Sequence, residues 1–494
     1  MVSAWFHALF EGYNGYFNKL PVKTGALLAL LAEWFCFALV IWLGMRALGR
    51  SRNRWLRMIL HLAFIGLLAF PFDFIRLYHF EVADYTILML LKRPIIAAGL
   101  FLAFGFFLWQ HDRVFHALSV LVGIMFPLAL ITFMRIAFLL LGLQHPRLPS
   151  TQPTLSPLIS TSPGQPRVVW LLFDETDQRL GFENRPAELR LPELDRLKRE
   201  SLVATNALPP GDETLVSIPG LVSGQTFSAV TVQGVADLNV TSAKNGETSL
   251  WSECPSVFAS ARALGLNVAA VGWYHPYDRL FGVSLSSCVW YPLPFYEPDR
   301  APTLQGTVLR QLDCLTSTIH LRRVYVDLCR AILPEALAVA TNGNYGLVFL
   351  HLPPPHKPGI YLPAKDKYTA YGMQKTSGYF NNLILADNWL GTLRRAMEAT
   401  GQWNRTWLIL SSDHSWRQSA IYDGRRDLRV PFMVKAPGAN QSATYSAPFP
   451  TVLTHDLVLA ILRGQITNQA NAVFWMSHHR VEQPTILSET EDSE

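Results

Sequence analysis

Charge is what this chain has least of. Asp, Glu, Lys and Arg make up 16% of its 494 residues, against 50% hydrophobic residues. A soluble domain carries about 25% charge, so a wholly soluble chain is excluded. The net charge of +5 is modest. No broad basic surface or nucleic-acid motif accompanies it, which excludes a nucleic-acid partner. Only five cysteines are present and none forms a CxxC pair, so a zinc finger is excluded. There is no internal repeat and no cleavable signal peptide. The first apolar run starts too far in, is too long, and lacks a small-residue cleavage site.

What is present is an uneven distribution of apolar residues. Four segments, about Gly25–Met45, Met58–Ile75, Pro94–Trp109 and Ala117–Leu143, approach the ~20 residues that span a bilayer. Residues 1–143 therefore read as a transmembrane region of about four helices, with the lipid bilayer as partner. Arg46, Arg50, Arg52, Arg54 and Arg57 lie between the first two segments and should stay cytoplasmic. Counting spans from there leaves a multi-pass inner-membrane protein whose globular part is extracytoplasmic, that is, periplasmic. Glu33, Asp73 and Arg135 lie in or beside the spans. They either neutralise one another or line an entry for a lipid headgroup. In the globular part Cys254, Cys288, Cys314 and Cys329 suit two disulfides, with three connectivities open; the alternative is reduced, buried thiols. Nothing in the sequence sets an oligomeric state.

Residues 144–166 form a Pro-rich linker with several Ser and Thr. Residues 167–470 read as the catalytic domain and 471–494 as a C-terminal tail. Apolar runs at 168–173, 267–272, 345–351, 407–410 and 430–435 read as strands. Helices are expected over 191–200, from Thr214 through 222, and over 256–264, 379–400 and 456–463. Strands alternating with helices imply α/β: a mostly parallel sheet with helices on both faces.

Chemistry-bearing residues cluster at the ends of these runs. The first strand ends at Asp174-Glu175. The strand at Trp407 ends, after Ser411-Ser412, at Asp413-His414. Between them, Gly211-Asp-Glu-Thr214 places a hydroxyl where a helix starts. In an open α/β sheet, ligands bind at the carboxyl ends of the strands. Carboxylates and an imidazole gathered there beside a hydroxyl suit a metal-activated oxygen nucleophile. The bland alternatives are loop carboxylates at 174–175, and a helix cap at Thr214.

Four blocks together resemble the sulfatase and alkaline phosphatase superfamily. They are Leu171-Leu-Phe-Asp-Glu175, Thr214-Leu-Val-Ser-Ile-Pro-Gly-Leu-Val-Ser-Gly224, His351-Leu-Pro-Pro-Pro-His356-Lys-Pro358 and Ser412-Asp413-His414. The helix carrying Asp387 and Gly391, and Pro431–Gly438, also follow the pattern. The resemblance covers roughly residues 167–465 and implies an alkaline-phosphatase-like fold. In that register Thr214 stands at the nucleophile, Ser217 at the block's serine and Ile218 at its arginine. A sulfatase needs a Cys or Ser oxidised to formylglycine, which Thr214 cannot supply. The threonine is instead similar to that of membrane-bound phosphoethanolamine transferases and lipoteichoic acid synthases.

The resemblance implies a divalent metal held by Asp174 or Glu175, Asp413, His414 and Thr214. Its mixed O/N ligand set suits zinc or manganese ahead of magnesium or calcium. His351 and His356 would steady phosphoryl oxygens or protonate a leaving group. His275 is a further candidate, Ser217 reads as structural, and Lys435 with Arg425-Arg426 reads as a solvated face or substrate rim. The expected activity is metal-dependent phosphoryl transfer from a membrane lipid or envelope glycan. Hydrolysis of phosphate or sulfate esters is the alternative, and a catalytically inactive membrane scaffold or sensor is the alternative of another class.

Overall fold

The computed structural model describes residues 14–17, 24–50, 53–64, 66, 89–124, 126–141, 154–160, 164–234, 236–293, 303–313, 317–371, 373 and 375–479. The chain divides into two compact units. The first comprises residues 1–148, 294–324 and 370–374; the second holds the rest.

The first unit contains helices Thr24–Arg50, Pro94–Ile124 and Phe126–Leu140. Among the described residues, two stretches are long and apolar enough to cross a membrane, Gly25–Gly44 and Pro94–Leu121. The third expected segment and the start of the fourth are thus one 31-residue helix, interrupted by non-helical backbone at Gln110. The remainder of the fourth is described as helix Phe126–Leu140, and residue 125 lies outside the described residues. Of the second segment, residues 67–75 lie outside the described residues, as does Asp73. Helix Leu304–Asp313 belongs with this unit, where the Gln311 amide donates to the Ala26 carbonyl at 3.0 Å.

The second unit is built on a nine-stranded sheet. Its strands are β1 (Val168–Phe173), β2 (Leu202–Leu208), β3 (Val268–Trp273), β4 (Ser287–Tyr291), β5 (Leu347–Leu352), β6 (Trp407–Ser411), β7 (Val430–Lys435), β8 (Ala443–Tyr445) and β9 (Phe449–Pro450). The order is β8-β2-β7-β6-β1-β5-β3-β4, with β9 also pairing β2. All pairs are parallel except those of β7, which runs against both β6 and β2. β1, β3, β5 and β7 are buried at every position. Central strands covered on both faces read as continuous apolar runs rather than alternating ones. β7 reverses, and the segment joining it to β6 carries only the short helix Ala420–Asp423.

Helices cover the sheet. Pro192–Glu200 has Pro in its first turn, where the missing N–H costs nothing. Val257–Ala263 is capped by Ser256, whose hydroxyl accepts from the Ala259 N–H. Lys375–Ala399 carries Asp387 and Gly391. Gly391 is there for space, since a Cβ would lie 2.7 Å from Glu193 Cγ. A helix at Gln469–His478 buries Ala472 and Met476, so ordered structure runs past residue 470. Cys254 and Cys329 are free thiols, so the two-disulfide arrangement is absent. Cys329 is held away from any partner in the core beside Tyr325 and Ile332, and Cys314 lies outside the described residues.

Asp387 links two of the helices. Its buried carboxylate accepts from the N–H groups of Glu193 (3.3 Å) and Leu194 (2.7 Å), so it caps Pro192–Glu200 from a neighbouring element. Asp387→Ala is expected to cost about 1–2 kcal/mol, the value of a lost cap. Asp387→Asn keeps an acceptor oxygen and should cost less. Thermal midpoints of the purified variants check the order.

Candidate active site

Sheet register brings the chemistry together. β1 and β6 are parallel neighbours with Leu172 opposite Ser411, so Asp174 and Asp413 leave the same edge of the sheet side by side. On the other flank of β1, Leu172 pairs with His351 in β5. Next in order, β3 ends at Trp273 and delivers His275. β2 points the same way and leads into the loop before Thr214. Five strand ends therefore supply one site, at the edge where parallel α/β sheets bind ligands.

Thr214 opens a ten-residue helix, Thr214–Ser223, after the extended Glu213. Gly211 is required just before it: a Cβ would lie 2.7 Å from Val216 Cγ1. The Ser217 hydroxyl donates to the Gly211 carbonyl at 2.8 Å, closing this turn, which is a structural role. The His275 ring Nε2 lies 3.2 Å from the Thr214 carbonyl. With Nε2–H donating, this ring clamps the residue that carries the hydroxyl. Burial lowers the His275 pKa to about 3, so the ring stays neutral.

The Thr214 hydroxyl lies 2.8 Å from Asp413 Oδ2, 3.3 Å from Asp174 Oδ2 and 3.4 Å from His414 Nε2. Each of these side chains is aimed by its surroundings. Asp413 Oδ1 accepts from the Glu175 and His414 N–H groups at 3.1 and 2.9 Å, leaving Oδ2 for the centre. His414 Nδ1 is 2.9 Å from the Ser415 carbonyl; donating there, it leaves an Nε2 lone pair facing inward. The Ser412 hydroxyl ties the two strand ends, accepting from the Thr176 N–H at 2.8 Å and donating to the Phe173 carbonyl at 2.6 Å.

Asp174, Asp413 and His414 are all fully buried and form a cluster whose ligand atoms lie within 4.8 Å of one another. Burial and the adjacent Asp413 charge push Asp174 well above the usual carboxylate range. Burial would raise Asp413 too, but His414, His351 and the Thr214 hydroxyl hold it low. Asp413 and Asp174 raise His414 against the effect of its burial. Two buried carboxylates side by side call for a cation. Asp174 Oδ1 has no hydrogen-bond partner although it is buried. The residues present therefore fit a divalent metal ion.

The other expected residues divide. His351 is fully buried, with Nε2 3.5 Å from Asp174 Oδ2 and Nδ1 3.0 Å from the Tyr277 hydroxyl. Burial lowers its pKa to about 4. His356 lies at the rim with its ring 5.1 Å from that of Trp273 and Nδ1 2.6 Å from the Lys357 carbonyl; burial lowers it to about 4 as well. Glu175 is not part of the three-residue cluster. Its residue has positive φ, 66°, and its carboxylate turns to Arg417, accepting from the backbone N–H at 3.3 Å with the guanidinium Nε at 4.0 Å. Lys435 is not on a solvated face: it is 1% exposed and its ammonium donates to the Trp403 and Ala436 carbonyls. An antiparallel strand puts residue 435 opposite Leu408, at the end of the sheet away from the site. Arg426 pairs with Asp212, two residues before Thr214, on the rim.

Sequence reasoning missed Arg417 and Tyr277. Arg417 lies 4.0 Å from both Glu175 and Glu213, so it stands between the end of β1 and the loop before Thr214. Its position three residues after His414 was the only available signal. Tyr277, buried beside His351, carried none.

A sulfatase family model matches residues 166–463. The chain belongs to the sulfatase family. A curated ulvan-active sulfatase of Formosa agariphila is 21% identical over 320 residues, covering 58% of this chain and 60% of that protein. The chain thus matches less than two thirds of that relative. Similar solved structures include a sulfatase from Pseudoalteromonas sp. (13% identity, 60% and 68% of the two chains, TM-score 0.42). They also include a phosphonate monoester hydrolase of Agrobacterium radiobacter (13%, 60% and 74%, TM-score 0.39). A Vibrio parahaemolyticus protein of the alkaline phosphatase superfamily matches at 14%, 66% and 74%, with TM-score 0.39.

The geometry separates the two acidic residues that end β1. Asp174→Asn should remove one equivalent of divalent metal per chain, whereas Glu175→Gln should retain it. Elemental analysis of the purified variants reads both; metal loss confined to Glu175→Gln would reverse the assignment.

Proposed function

We propose that this chain is a membrane-anchored, divalent-metal-dependent enzyme that transfers phosphoryl groups through Thr214. The observation that carries the reading is the Thr214 hydroxyl at the meeting point of Asp174, Asp413 and His414, 2.8 Å from Asp413. A hydroxyl so surrounded is placed to become a nucleophile. Zinc or manganese suits the O/N donors of Asp174, Asp413 and His414, and such an ion would lower the proton affinity of the hydroxyl.

The chain's own residues account for the rest. Thr214 Oγ1 attacks the phosphorus of a phosphodiester. The Oγ1–P bond forms, the P–O bond to the leaving group breaks as its oxygen takes a proton from water, and the threonine proton leaves toward Asp413 Oδ2, which returns it when Thr214 is released. The helix starting at Thr214 presents its positive end to the developing charge. His275 keeps the Thr214 backbone in place. His356, with Nδ1–H given to the Lys357 carbonyl, has Nε2 free to take the proton of an incoming hydroxyl. That hydroxyl then attacks the phosphothreonine and releases Thr214. A sugar or lipid hydroxyl makes the reaction a transfer; water makes it a hydrolysis.

Three features favour phosphoryl chemistry over sulfate cleavage. Oxidation of a threonine gives a ketone, not the aldehyde of formylglycine. Ile218, where the sulfatase block has arginine, is fully buried and offers no charge. The two membrane-length stretches, Gly25–Gly44 and Pro94–Leu121, bring the chain to lipid surfaces. The substrate is accordingly a lipid-linked phosphodiester or a phosphorylated envelope glycan. The arginines at 46–57 orient the second unit to the periplasmic side.

Incubation with a labelled phospholipid headgroup should add mass to the Thr214 peptide. Thr214→Ala should lose turnover by on the order of 10⁴-fold or more, and Thr214→Ser should keep part of it. Unchanged turnover in Thr214→Ala would sink the nucleophile assignment.

A further inference from the structure

Away from the Thr214 site, the first unit holds a second convergence of ligand-type side chains. His61 belongs to the helical stretch 54–64, which Asn53 opens by accepting from the Trp55 N–H at 3.0 Å. His111 and Asp112 follow the non-helical Gln110 in helix Pro94–Ile124. His61 and His111 are 3% and 2% exposed, and their Nδ1 atoms are 2.9 Å apart. Asp112 Oδ1 is 3.3 Å from His111 Nδ1 and 3.9 Å from His61 Nδ1. Phe115 stacks on the His61 ring at 4.1 Å, fixing its plane.

We propose that His61, His111 and Asp112 form a second metal site, which takes a borderline divalent cation such as zinc and clips helix 54–64 to the break at Gln110. Two neutral imidazoles can place only one N–H between their Nδ1 atoms. At least one lone pair then faces the other ring, with the Asp112 carboxylate close by. A cation satisfies all three ligand atoms at once. Two imidazoles and one carboxylate are a zinc-type set, with a fourth position left for water or a ligand. The non-helical backbone at Gln110 sets the direction of the helical segment that begins with His111 and Asp112.

This site does not depend on the reading of Thr214. The test therefore uses the full chain in detergent with the first site removed by Asp413→Ala. After equilibration with Zn²⁺ and dialysis, that variant should retain one equivalent by elemental analysis. Adding His61→Ala and His111→Ala should remove it. Cobalt titration of the Asp413→Ala protein should give a visible absorption that the added substitutions abolish. His111→Asn, with the size-exclusion profile as control, separates loss of ligation from loss of fold. Retention of no ion by Asp413→Ala, or the same retention with both histidines gone, would overturn the proposal and leave the two rings sharing a proton.

Discussion

Two carboxylates buried side by side set the terms for the rest of this domain. Charges ~4 Å apart at an effective dielectric of 20 interact by about 4 kcal/mol, and here burial adds a desolvation cost to the repulsion. Asp174 and Asp413 lie together because β1 and β6 are parallel and in register. Neither can relax away, since Ser412 bridges the strand ends and backbone N–H groups hold Asp413 Oδ1. The nearest arginine offsets the charge only in part. Arg417 is turned toward Glu175 and Glu213. What faces the two carboxylates is the imidazoles of His414 and His351 and one hydroxyl, so the sheet has stored a demand for positive charge beside one threonine.

That constraint explains which parts were legible in the sequence. The strands of the central sheet are continuous apolar runs, and their ends carry Asp174, His351 and Asp413, so both strand and site residue show up together. Helix Pro192–Glu200 shows its proline and leucine spacing, and Ser256 marks the next helix start. Less visible was anything set by partners distant in sequence. The small antiparallel sheet of Phe227–Gln233, Asp237–Ser242 and Thr248–Leu250 mixes polar and apolar residues and buries mainly its middle strand, with no apolar run to announce it. Helix Ser317–Thr341 contains Pro334, which reads as a break in sequence. Lys435 looked like surface because lysine rarely buries; only the Trp403 ring at 4.9 Å and two carbonyls make its position tolerable.

The choice between Asp174 and Glu175 shows the limit of motif reading. Adjacent residues at a strand end point in different directions, and the pattern Asp-Glu does not say which one turns inward. Backbone conformation decides. Glu175 takes positive φ, which spends its N–H on Asp413 and its carbonyl on the Tyr379 hydroxyl. Its carboxylate is carried toward the Arg417 loop. Asp174 keeps the inward direction. Glu175 thereby acts on the centre through its backbone, by orienting Asp413, and on the rim through its side chain.

On the proposed reading, family membership and chemistry part company at the helix that starts with Thr214. The sulfatase family supplies the scaffold, and the loop closed by Gly211 and Ser217 ends at the Thr214 hydroxyl. Sulfate cleavage through formylglycine needs a residue with one substituent on Cβ, whose oxidation leaves an aldehyde that hydrates to a geminal diol. Threonine has a methyl group there. The same methyl does not hinder attack by Oγ1, because the hydroxyl needs only a line to the phosphorus and a place for its proton. Replacing arginine by Ile218 points the same way: that position is fully buried and carries no charge. Arg417, 4.0 Å from both Glu175 and Glu213, keeps a cation beside the loop that leads into Thr214.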